Sequence, residues 1–144
     1  DNWDLANSPT EKDKGSYLEE NWKVLAQNSM IKFINGKSDI FPGIDLFISN
    51  GHTTGMAHPI IKDSSKTVFY AADMFPMACH IPLNWIMAYD INPIQTIKEK
   101  KYLLSKIVDE NWIIFFEHDP IRQAGTVKEN NGKYDLKETV LISE

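Results

Sequence analysis

The stretch of sequence that decides the fold is FPGIDLFISNGHTTG, residues 41–55. It contains an apolar run of strand length at 44–49, and a polar loop with two glycines follows at once. His52 therefore stands directly after the end of a predicted strand. Side chains that follow the ends of neighbouring strands can converge on one point, so polar residues in the same position elsewhere are candidate partners of His52.

The chain on either side of this stretch alternates between strand and helix patterns. Apolar runs bounded by turn residues predict further strands at 30–34, 59–62, 67–72, 112–116, 125–128 and 136–142. The capping-box pair Ser16 and Glu19 predicts a helix over about 17–27, and Asn92 before Pro93 predicts one over 93–109. Residues 73–91 form a long connection rich in methionine and aromatic residues. These patterns predict an α/β fold.

Three potential metal ligands follow predicted strands. His52 comes after strand 44–49, Asp73 after 67–72 and His118 after 112–116. Imidazole nitrogen and carboxylate oxygen together suit zinc and other first-row divalent ions. Taken singly, each residue also has an ordinary structural interpretation, as a loop histidine, a cap or a turn residue. Their common position after strands is what favours a metal site.

Three segments resemble motifs of the metallo-β-lactamase superfamily. The loop 51–55, Gly-His-Thr-Thr-Gly, resembles its Gly-His-Thr-x-Gly motif, and Ala71-Ala72-Asp73 is similar to its bridging-aspartate segment. The segment 116–119, Phe-Glu-His-Asp, is similar to the segment that carries its last histidine. The resemblance covers roughly residues 16–128. It implies one βα half of a four-layer αββα sandwich, with a mixed sheet and helices on one face.

The resemblance also implies a set of site residues. His52 would complete a first metal site, His118 would complete a second, and Asp73 would bridge both ions as the catalytic carboxylate. The cofactor implied is zinc, as two ions in the complete protein, with other divalent metals possible. Two ions close together can activate a shared water while they polarise the scissile group. The function implied is hydrolysis of a small ester, lactone, thioester or related substrate.

One motif of the family is absent from the sequence. The chain has four histidines, and none is arranged as His-x-His-x-Asp-His, which in the family lies in the first half of the fold. We therefore expect residues 16–144 to be the C-terminal half, without the N-terminal half, and residues 1–15 to be a flexible segment. Alone, the chain should be inactive, with at most one weak site made by His52, Asp73 and His118.

The long connection and the composition give the remaining expectations. His80, Phe75 and Trp85 are candidate substrate-pocket residues, although His80 could equally be packed locally, and His58 is interpreted as structural. The net charge of −5 argues against a nucleic-acid partner, and no apolar run is long enough for a membrane partner. A single cysteine, Cys79, fits a cytoplasmic location.

Two kinds of partner and one rival function remain open at this stage. A half-sandwich would leave one sheet face uncovered, so we expect it to pair with the missing half or to self-associate through that face. The rival to a hydrolase is a non-catalytic α/β binding or assembly module of the same fold.

Overall fold

The computed structural model of the protein describes residues 1–34 and 41–142, and it divides into two compact units at about residue 35. The first unit contains two helices, α1 (Asn2–Asn7) and α2 (Glu19–Gln27). The second contains helix α3 (Pro93–Asp109) and six strands. The strands are β1 (Ile44–Ser49), β2 (Met56–Lys62), β3 (Thr67–Tyr70), β4 (Ile113–Phe115), β5 (Ala124–Asn130) and β6 (Lys133–Val140).

The first unit differs from the expectation in three respects. Residues 2–7 form helix α1, where only a polar loop was expected, and the ring of Trp3 packs against those of Trp22 and Phe33 at 5.1 and 5.2 Å. The predicted capping box is wrong: Leu18 is the N-cap of α2 without a side-chain cap bond, and the N–H of Ser16 donates to the carbonyl of Asp13 at 2.8 Å. Residues 30–34 are not in a strand. The expected flexibility of residues 1–15 stays a prediction.

The second unit is built on one mixed sheet in the order β1-β2-β3-β4-β5-β6. Among the strands of the described residues only β3 and β4 are parallel, and α3 lies in the crossover that such a pair needs. The other neighbouring strands are antiparallel. The expected α/β class and mixed sheet are therefore confirmed.

The core of this unit forms where α3 packs on the sheet. Leu104 of α3 is fully buried, in one cluster with Phe69 of β3 and Ile114 of β4. Burial of apolar surface is the main contribution that favours folding, at about 25 cal/mol per Å². The N-terminal end of α3 lies beside the sheet edge at which β1, β3 and β4 end, because the N–H of Asn92 donates to the carbonyl of Gly51 at 2.8 Å.

Helix α3 has the predicted bounds, and its start is fixed locally. The side chain of Asn92 accepts a hydrogen bond from the N–H of Gln95 at 3.1 Å, with Pro93 in the first turn. The strands before and after the helix differ from their predicted ends by a few residues. Of the helices among residues 1–34 and 41–142, none is long and apolar enough to span a membrane.

Candidate metal centre

The structure brings the three predicted ligands together. His52 follows β1, Asp73 lies in a one-turn 3-10 helix after β3 (Ala72–Met74), and His118 follows β4. The Nε2 atom of His52 is 3.5 Å from Oδ2 of Asp73, and Nε2 of His118 is 3.1 Å from Oδ1 of the same carboxylate. His52 reaches Asp73 even though β2 lies between β1 and β3 in the sheet.

These distances suit two ligands on a shared ion. Zinc bonds of about 2.0–2.2 Å in tetrahedral geometry place neighbouring ligand atoms roughly 3.3–3.6 Å apart. The two separations at Asp73 are close to that range. Each oxygen of Asp73 faces a different imidazole, as the predicted bridging role would require. Its side chain is 31% exposed and that of His118 is 55% exposed, so the centre is open to solvent.

A second carboxylate orients the His52 ring. Oδ1 of Asp90 is 2.8 Å from Nδ1 of His52, and the Asp90 side chain is 1% exposed. A carboxylate only accepts, so Nδ1 donates to Asp90; in the neutral ring Nε2 then carries the lone pair, and it faces Asp73. This carboxylate–histidine pairing is the arrangement that metal-bound histidines commonly have.

A single three-ligand site is one of the predicted arrangements of His52, Asp73 and His118. Among residues 1–34 and 41–142, no group of three or more His, Cys, Asp or Glu side chains closes around one point. The reason is geometric, because the two oxygens of Asp73 point to different imidazoles. One weak ion held by these three residues stays a prediction, as do two ions that share Asp73.

Helix α3 holds the loop that carries His52. The carboxylate of Glu99, which is buried, accepts hydrogen bonds from the N–H groups of Asn50 and Gly51 at 2.9 and 3.1 Å. The carbonyl of Gly51 in turn accepts from the N–H of Asn92 at 2.8 Å, at the start of the helix. Both N–H groups and a carbonyl of the loop backbone are thus hydrogen-bonded to α3 or to its cap residue.

Asp119 holds the loop that carries His118. Its side chain is 5% exposed and accepts from three backbone N–H groups at 2.9–3.0 Å, those of Ala78, Ile121 and Arg122. Burial by itself raises the pKa of the Asp119 carboxyl, but these donors outweigh it, and the pKa lies below its usual value. The N–H of His118 also donates to the carbonyl of Pro76 at 2.9 Å.

The predicted substrate-pocket residues are dispersed. Phe75 is fully buried in the core, and His80 is 8% exposed. Burial, and then the charge of Lys100, lower the pKa of His80. These positions favour packing roles for Phe75 and His80. Trp85 is 57% exposed and remains available to a ligand.

His58 lies inside the sheet packing, as the sequence predicted. It is fully buried, its Nε2 is 2.7 Å from Oγ of Ser49, and its ring packs between those of Phe47 and Phe69. Burial lowers its pKa from 6.5 to about 4, so the ring is neutral.

The sequence did not indicate Asp90, Glu99 or Asp119 as parts of the centre. One feature of the sequence could have indicated Asp90: it lies at the end of the long connection, just before the helix cap at Asn92. Glu99 gave none, because a charged residue in a helix is usually solvated.

Known structures share this architecture. The chain matches a probable metal-dependent hydrolase from Staphylococcus aureus at 24% identity and a TM-score of 0.81, over 96% of this chain and 50% of that one. It matches AidC, a dizinc quorum-quenching lactonase, at 17% identity and a TM-score of 0.70, over 97% and 53% of the two chains. It matches AbOPH, a hydrolase in the beta lactamase superfamily, at 16% identity and a TM-score of 0.70, over 96% and 50%.

The chain therefore spans about half the length of these structures. No protein-family profile and no curated protein sequence matches it. The matched half is consistent with the C-terminal half indicated by the three motifs. The resemblance is thus confirmed at the level of architecture: this chain has the fold of one half of a metallo-β-lactamase domain.

Proposed function

We propose that the chain is the C-terminal half of a zinc-dependent hydrolase, in which His52, Asp73 and His118 bind two ions. The observation that carries this proposal is the pairing of each Asp73 oxygen with a different imidazole nitrogen, at 3.1 and 3.5 Å. The fold shared with metal-dependent hydrolases supports the same conclusion.

The residues of this chain would prepare the site for a metal-bound water. When bound, two zinc ions would lower the pKa of a shared water and polarise the bond to be cleaved. Asp90 holds a proton on Nδ1 of His52 and so keeps Nε2 free for coordination. Asp73 has one oxygen for each ion. The bonds of Glu99 and Asp119 to loop backbone fix the two histidine loops before any ligand arrives.

We propose a small, partly apolar ester, lactone or thioester as the substrate. Large apolar side chains lie exposed beside the centre: Tyr89 is 54% exposed, with its ring centroid 5.7 Å from that of His52, and Trp85 lies on the same connection. One matched structure is a lactonase in complex with its product N-hexanoyl-L-homoserine, which supports a lactone. A cytoplasmic location belongs to this proposal as well.

The proposal requires further ligands from outside this chain. Each ion would obtain two protein ligands here, whereas catalytic zinc sites commonly have three plus a water. The N-terminal half of the domain is the proposed source, so the chain alone should be inactive.

The test is hydrolysis by the chain combined with its N-terminal half and loaded with zinc. A lactone, a p-nitrophenyl ester and a thioester of equal acyl length would be compared. The Asp73→Asn variant should lose at least about 100-fold in kcat/KM, because it loses a bridging ligand. The matched control is Asp63→Asn, in the exposed turn between β2 and β3, which should keep full activity. If the combined protein binds no zinc and hydrolyses none of the three substrates, the non-catalytic binding module is the better interpretation.

A further inference from the structure

A buried lysine joins α3 to the long connection that borders the centre. Lys100 is fully buried, and its Nζ donates to the backbone carbonyls of His80, Pro82 and Trp85 at 2.6, 2.8 and 2.7 Å. An ammonium has three N–H donors, and all three are used. The side chain therefore fixes residues 80–85 against the helix.

The charge of Lys100 is not neutralised by a direct ion pair. Within residues 1–34 and 41–142 its Nζ has no carboxylate at ion-pair distance, and it lies 5.4 Å from the ring centroid of Phe75. Burial lowers its pKa from 10.5 to about 8, while the negative charge of Asp90 acts in the opposite direction. A buried ammonium is expensive compared with an apolar side chain of the same length. Packing of α3 alone therefore does not account for a lysine here.

The segment that Lys100 fixes leads directly to His52. Trp85 is bound by Lys100 at one end, and at the other end the N–H of Ile91 donates to the carbonyl of His52 at 3.2 Å. The few residues between are held at both ends. They include Asp90, which bonds Nδ1 of His52, and Tyr89, whose ring packs on the imidazole.

We propose that Lys100 is a positioning residue of the centre: it holds residues 80–85 so that Asp90 keeps the His52 imidazole in one orientation and tautomer. Lys100 touches neither the predicted ligands nor the space between them. It acts through the backbone of the connection and the carboxylate of Asp90. The importance of Lys100 for metal binding rests on the proposed function, but its effect on the orientation of His52 does not.

The experiment compares Lys100→Met with Lys101→Met. Methionine has nearly the length of lysine without its donors, and Lys101 is the next residue of α3 but is exposed. Two readouts are made on the metal-free protein. Hydrogen exchange is measured at the amides of Trp85 and Asp90, which donate to Pro82 and Met87. The tautomer of His52 is read from the ¹⁵N shifts of its ring.

Lys100→Met should raise exchange at these two amides by at least about tenfold, since hydrogen bonds to a charged group are lost. It should also convert the single Nδ1–H tautomer of His52 to a mixture. Exchange in the β5–β6 hairpin should not change, and Lys101→Met should behave like the natural protein. Asp90→Asn should disturb the His52 signal without raising exchange at Trp85. The effect of Lys100 on the connection and the effect of Asp90 on His52 are thereby measured separately.

An unchanged His52 tautomer in Lys100→Met, or exchange raised equally across the sheet, would overturn the proposal, because Lys100 would then be a packing residue only. If this variant does not fold, both readouts are taken on the natural protein from pH 7 to 10. Loss of the Lys100 charge above about pH 8 should loosen Trp85 but not the hairpin; Asp90 and His80 are the charged or titratable groups that face it. Equal behaviour of both regions would contradict the proposal. Neither readout involves zinc or substrate, so failure of the proposed function would be seen separately.

Discussion

Replacement of Gly51 by alanine tests whether α3 is seated directly on the loop that carries His52. A Cβ atom on Gly51 would lie 2.5 Å from both the N and the Cα of Thr96 in α3. Thr96 itself is buried. Because the atoms it meets belong to the backbone of the helix, no change of rotamer can relieve the contact.

The magnitude follows from that geometry. Carbon atoms pack at about 3.5–4.0 Å, so the loop and the helix must separate by roughly 1 Å. Overpacking of a well-ordered interior costs about 1–3 kcal/mol, and a rigid backbone contact belongs at the upper end. The separation would also lengthen the bonds from the loop to Glu99. We expect Gly51→Ala to lower the free energy of unfolding by about 3 kcal/mol and Tm by roughly 10 °C.

The assay is urea unfolding followed by circular dichroism, with Gly15→Ala as the matched control. A Cβ on Gly15 meets no atom within 4 Å, so its variant should lie within about 0.5 kcal/mol of the natural protein. Equal stabilities of the two variants would refute the reasoning. They would mean that α3 does not contact the loop as closely as the structure shows.

Three further changes test other contacts of the centre. Burial of neutral His58 lowers its pKa from 6.5 to about 4, so the unfolded chain binds a proton first as the pH falls. The free energy of unfolding, measured with urea, should decrease by about 3 kcal/mol when the pH falls from 6.5 to 4. It should decrease less in His58→Asn. Glu99→Ala leaves the N–H groups of Asn50 and Gly51 unpaired and should cost at least about 2 kcal/mol in the same assay, more than Glu99→Gln. Asp119→Asn should raise hydrogen exchange at the Ala78 amide about tenfold; unchanged exchange would show that Asp119 does not hold that loop.

The parts of the fold that the sequence predicted are those with local signals. Helix α3 begins at a cap, Asn92, and a proline, both of which act within one turn, and its bounds were predicted to the residue. The strand ends after which His52 and His118 stand are marked by abrupt changes from apolar to polar residues, whereas Asp73 is a single polar residue in an apolar stretch. Convergence of the three side chains could be expected because strand ends meet at one edge of a sheet.

The parts that the sequence could not predict depend on contacts between distant residues. Glu99 and Lys100 are adjacent charges in a helix, a pattern typical of a solvated face, yet both are buried because two separate loops close over them. Helix α1 has a polar composition, and its packing depends on Trp22, far along the chain. No spacing rule relates such pairs before the chain is folded.

Zinc stoichiometry of the complete protein tests the central claim most directly. The chain, joined to its N-terminal half and dialysed against zinc, would be measured by plasma mass spectrometry beside His52→Ala, His118→Ala and the control His80→Ala. We predict about two zinc ions per protein, about one in each of the first two variants, and two in the control, since each predicted histidine serves a different ion. A protein without zinc, or variants that keep both ions, would contradict the account.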